Sequence, residues 1–124
     1  MEMISNEEKI TQAVLVSVDT GDYDAEASLA ELKELVKSAG AEPVFTVTQN
    51  LKRPETGTYV GTGKLQEIAD ICKQQEIDLL VFDCELSPTQ IRNIEAETDT
   101  RTIDRTMLIL DIFALRARSK EGKL

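Results

Sequence analysis

The chain has 124 residues, 41% hydrophobic and 30% charged, with two cysteines, no histidine and a formal net charge of −9. That length supports one domain whose core needs no disulfide or metal staple, and no apolar run approaches the ~20 residues of a membrane helix. Without histidine the commonest general base and metal ligand is missing, and an evenly spread acid excess would argue against a dedicated nucleic-acid binder.

The charge is not evenly spread. Residues 1–100 hold 8 basic against 20 acidic side chains, whereas residues 101–124 hold 6 against 3. A basic end on an acidic body is a charge asymmetry, although basic residues also complement a helix C-terminus. Residues 1–12 are polar and lack the basic and apolar regions of a signal peptide, so they read as a flexible N-terminus of a cytoplasmic protein. Cys72 and Cys84 then read as free thiols.

Residues 13–19 form an apolar run closed by Asp19, the pattern of a strand buried on both faces of a parallel sheet. Leu29, Leu32, Val36 and Ala39 recur at helical spacing from Ala25 onward, and Gly40 closes that helix as a C′ glycine. Residues 43–49 alternate as a second strand. Residues 50–62, with Lys52, Arg53, Pro54 and Gly57, read as a long structureless connection. A second helix begins near Gly63 and Lys64, with Leu65, Ile68 and Cys72 on one face. Residues 79–83 are a third buried strand. Ser87, Pro88 and Gln90 then give an N-cap, an N1 proline and a capping box, with Leu86 and Ile91 placed for a hydrophobic staple. Residues 100–104 form a short polar edge strand, and Asp104 heads a last helix that is apolar almost all round before it turns basic at Arg116 and Arg118.

Alternating strands and crossover helices predict an α/β domain with a four-stranded parallel sheet, order 2-1-3-4, and helices on both faces. Helix one covers one face, helices two and three the other. The last helix returns to the first face over strands three and four, partly exposed.

The glycines around Lys64 are not a P-loop: five residues separate Gly57 from Gly63-Lys64, and Leu65 stands where a hydroxyl is needed. They turn the chain into a helix or hold an isolated phosphate. The acids Asp19, Asp83, Glu85 and Asp104 fall at strand ends, where they cap helices or do acid–base work. Arg53, Lys64, Arg92, Arg101 and Arg105 are solvated, paired with the abundant acids, or gathered into a basic edge.

Three motifs in order go further. Tyr59, Gly61, Gly63 and Lys64 come first; Asp83, Glu85, Leu86, Ser87, Pro88, Gln90, Arg92 and Asn93 follow. The third is the run from Ile103 through Asp104, Arg105, Leu108, Asp111, Ile112, Phe113, Arg116 and Arg118 to Leu124. Together they resemble the N-terminal domain of HflX-type GTPases, closely over 57–124 and in pattern before that. Met107 departs from the small residue usual in the family. The resemblance implies a translation GTPase that splits or rescues stalled ribosomes. In it, residues 13–118 are the α/β domain, and residues 119–124 lead toward a helical hairpin and a G domain. It implies the large ribosomal subunit and rRNA as partners, contacted through Arg53, Lys64, Arg92, Asn93 and Arg105. Leu108, Ile112, Leu115, Arg116 and Arg118 would face the hairpin and G domain, or a second copy. GTP and Mg would belong to the G domain. For residues 1–124 themselves no catalytic residue, metal, cofactor or membrane contact is expected. The rival reading is a small-ligand or Mg-dependent phosphate-binding domain built on the strand-end acids.

Overall fold

A computed structural model describes residues 10–112. The strands are β1 (Thr11–Asp19), β2 (Ala41–Asn50), β3 (Leu79–Phe82) and β4 (Arg101–Asp104). Between them run α1 (Ala25–Ser38), α2 (Thr62–Gln74) and α3 (Pro88–Thr98), and a last helix, α4, occupies 105–112 to the end of the described residues. All pairings are parallel and the order is β2-β1-β3-β4, as expected.

β1 and β3 are central, and alternate side chains feed two cores. Val14, Val16, Val18, Leu80 and Phe82 face α2 and α3, where Leu65, Ile68 and Ile94 meet them. Ala13, Leu15, Leu79, Val81 and Ile103 face Leu32 and Val36 of α1 and Leu108 and Ile112 of α4. Each fully buried side chain of this size contributes about 1.5–3 kcal/mol. β1 begins at Thr11, two residues earlier than the apolar run suggests. Thr11 pairs with Ala41, and Gln12 N–H donates to Asp78 Oδ2 at 2.9 Å.

The helix ends follow their chemistry. Asp24 caps α1, its Oδ1 accepting from Ala27 N–H at 3.1 Å, and Gly40 leaves the helix at φ 92°. At α3 the capping box is complete: Ser87 Oγ accepts from Gln90 N–H at 3.1 Å, and Gln90 Oε1 accepts from Ser87 N–H at 2.9 Å. Ser87→Ala should therefore lower stability by about 1 kcal/mol, read as a shift in the urea midpoint at constant slope.

Residues 51–61 are not structureless. Glu55 and Tyr59 exchange backbone hydrogen bonds of 3.0 Å, closing a tight antiparallel turn with Tyr59 at φ 69°. Val60 is fully buried against Phe82 and its neighbours, and the Tyr59 ring meets Phe82 edge-on at 6.2 Å.

Candidate functional site

Two places gather polar side chains. The first is the carboxyl end of β3. Arg105, at the start of α4, points back over this end. Its Nη1 donates to Asp83 Oδ1 at 2.6 Å, and to Ser28 O and Oγ at 3.3 and 3.1 Å; Nη2 donates to Glu31. One guanidinium thus ties β3, α1 and α4 together, and it does so inside the fold rather than toward a partner. Among the described residues, Asp83 Oδ2 and Ser17 Oγ are buried without a hydrogen-bond partner. Asp104 divides its carboxylate between two N–H groups, Leu86 and Met107, each at 2.9 Å. Asp19 accepts from Gly21 N–H at 2.9 Å, and Glu85 accepts from Thr106 Oγ1 at 3.4 Å. Each strand-end acid is committed to a different local partner. Among the described residues, no group of three or more His, Cys, Asp or Glu side chains is placed to hold a metal ion.

Both thiols are held toward the protonated form. Burial pushes Cys84 up to about 12, with Asp104, Asp83 and Glu85 adding to it against a hydrogen bond from Tyr59. Burial likewise raises Cys72 and the Tyr59 phenol. Both thiols should resist a disulfide-exchange reagent at neutral pH in the folded chain and react together on unfolding. For Cys84 the folded state keeps a proton that the unfolded chain loses near the ordinary 9.0. Its stabilisation is complete below that pH and disappears as pH rises toward the folded value. The melting temperature should hold to about pH 9 and then fall, and Cys84→Ser should shift that alkaline limb.

The second place is the surface where residues 51–61 dock on α3. Gln90 Nε2 donates to Glu55 O and Thr56 O at 3.1 and 3.2 Å, and Asn93 Nδ2 donates to Gly57 O at 3.0 Å. The loop is held from below by Gln49, whose Oε1 accepts from Gly61 N–H at 2.9 Å. Arg53 on the loop and Arg92 on α3 are exposed. Lys64, in the first turn of α2, is half-buried and pairs with Glu67 at 3.1 Å. Arg92 also borders a cavity of about 550 Å³ with Glu85, Leu86, Pro88, Ile91 and Met107. Of the predicted contact residues, then, Arg53 lies on the ordered loop and Asn93 holds it, Arg92 borders the cavity between α3 and the start of α4, Lys64 stands at the helix that follows the loop, and Arg105 is engaged elsewhere. Gln90 has a second role that its place in the capping box does not announce: it pins the loop. Its place two residues before Arg92-Asn93 in the shared motif was the available signal.

Of the residues expected to face another domain or copy, Leu108 and Ile112 are buried against the sheet. The large apolar side chain of α4 left outside, among the described residues, is Leu110, 61% exposed. Leu115, Arg116 and Arg118 lie outside the described residues.

The family described as GTP-binding GTPase N-terminal matches residues 26–114. The chain belongs to that family. It is an HflX-type N-terminal domain, 51% identical over 124 residues to the GTPase HflX of Lacrimispora saccharolytica and 49% over 114 residues to that of Escherichia coli K12. These matches cover 99% and 91% of this chain but 29% and 26% of those proteins. Among solved structures, the SsGBP–GDP complex superposes with a TM-score of 0.69 at 29% identity, covering 92% of this chain and 32% of that one. The GDP complex of a GTP-binding protein from Sulfolobus solfataricus gives 0.64 at 26% identity, covering 86% and 31%. The HflX-type domain described here has no helix long and apolar enough to cross a membrane among its described residues.

Proposed function

We propose that this domain is a cytoplasmic ribosome-binding module, contacting rRNA of the large subunit within a GTPase that splits or rescues ribosomes. GTP and Mg belong to a G domain, and residues 119–124 lead toward the hairpin before it. The observation that carries the reading is the 51–61 loop, pinned on α3 by Gln90 and Asn93, with Arg53 exposed on the loop itself. A pre-ordered loop carrying the Arg53 guanidinium suits phosphate oxygens, which take planar, charge-assisted hydrogen bonds, and Arg92, exposed on α3, adds a second guanidinium. Lys64 adds a point charge at a helix N-terminus, whose free N–H groups also favour phosphate. Asn93 serves as a positioning residue, since its amide N–H is already given to Gly57 O.

The family resemblance supports the partner, and the engaged strand-end acids weigh against the Mg-dependent alternative. The test is cosedimentation with purified large subunits. Reversing Arg53, Lys64 and Arg92 to glutamate together should abolish binding while the melting temperature holds; unchanged binding removes the site. Purified chain should also show no GTP turnover, and measurable hydrolysis by residues 1–124 would contradict the division of labour proposed here.

A further inference from the structure

The two edges of the sheet are finished differently. β4 is four residues long, lies between α3 and α4, and gives its Thr102 N–H to Glu95 Oε2 at 2.9 Å. β2 is ten residues long and, among the described residues, pairs only with β1. Pro43 and a register shift opposite Ala13/Val14 interrupt its first third, devices that discourage edge pairing. From Phe45 to Asn50 it runs regularly in register with β1. That stretch carries no charge and is rich in strand formers. Phe45 is 40% exposed, and Thr46, Thr48 and Asn50 are exposed. Such an edge offers a row of backbone donors and acceptors to another strand.

The charges at its two ends identify the strand it fits. Glu42 is the only charge in β2, and Lys52 follows just past its end; both are exposed, and neither forms an ion pair among the described residues. We infer that β2 pairs antiparallel with β2 of a second copy across a two-fold axis, joining two four-stranded sheets into one continuous sheet. A pairing centred on Val47 sets Glu42 opposite Lys52 of the other copy, twice by symmetry, with Phe45 opposite Gln49 and Thr46 opposite Thr48. A parallel pairing would set Glu42 beside Glu42. The interface is isologous, so it closes at a dimer rather than growing a filament.

Light scattering on this chain after size exclusion, from micromolar to millimolar, reads the outcome. A dimer should form with rising concentration. Glu42→Lys alone should weaken it about tenfold, as should Lys52→Glu, and the two together should restore it. Thr46→Lys with Thr48→Lys, both at exposed positions, should abolish it with the melting temperature kept. Leu110→Lys on α4 should leave it unchanged. A chain that stays monomeric throughout overturns the inference, as does a dimer lost in Leu110→Lys but untouched by the β2 substitutions.

Discussion

Replacing Arg105 by methionine should lower the unfolding free energy by about 3–5 kcal/mol, the cost of stripping a buried charge of its partner. The Asp83 side chain is 1% exposed and Arg105 23% exposed, so this pair sits near the buried limit. Among the described residues Asp83 Oδ2 lacks a hydrogen-bond partner, and Arg105 is the cation that offsets the carboxylate. The Glu31 arm of the network is 68% exposed and adds little. Two companions separate the causes. Glu31→Gln should cost under about 1 kcal/mol. Asp83→Leu in the Arg105→Met background should recover most of the loss, because replacing both partners by apolar groups is often neutral. Urea unfolding at constant slope measures all three. A loss below about 1 kcal/mol for Arg105→Met would place the pair among screened surface bridges.

The second large effect concerns binding. The first hundred residues carry 20 acids against 8 bases, so rRNA affinity has to come from a local group of cations working against the overall field. On the proposed reading, Arg53, Lys64 and Arg92 supply those cations. Each phosphate contact releases condensed counterions, and three contacts weaken binding about 30-fold for an about fourfold rise in salt. The triple reversal removes that dependence along with the affinity. Gln90→Ala and Asn93→Ala act differently. They free the loop from α3, so they should weaken binding with the salt slope nearly kept, and should speed proteolysis within 51–61.

The fold was legible wherever local pattern and tertiary role coincide. The run 13–18 is apolar because β1 is covered on both faces, and Ser87, Pro88 and Gln90 fix the start of α3 by contacts within four residues. Gly40 marks a left-handed turn that a side chain would strain. The site was legible only in part, because its contacts join distant positions. Arg105 reads as one more free cation until the fold brings Asp83, 22 residues away, and Glu31, 74 away, against it. The 51–61 stretch reads as loose because it lacks periodicity. Its order comes from Gln90 and Asn93, 34 to 36 residues on, and from Val60 entering the core. Over its described residues α4 is packed on the sheet and partly exposed, as its pattern suggests: Leu108 and Ile112 are buried and Leu110 is not.

The central claim, that this domain is a ribosome-binding module, is tested most directly by cosedimentation with purified large ribosomal subunits across a salt series. The account predicts a saturable fraction bound at low salt, falling steeply as salt rises and absent in the Arg53, Lys64 and Arg92 triple reversal. No pelleting above background at the lowest salt, or pelleting that neither salt nor the triple reversal changes, would contradict it.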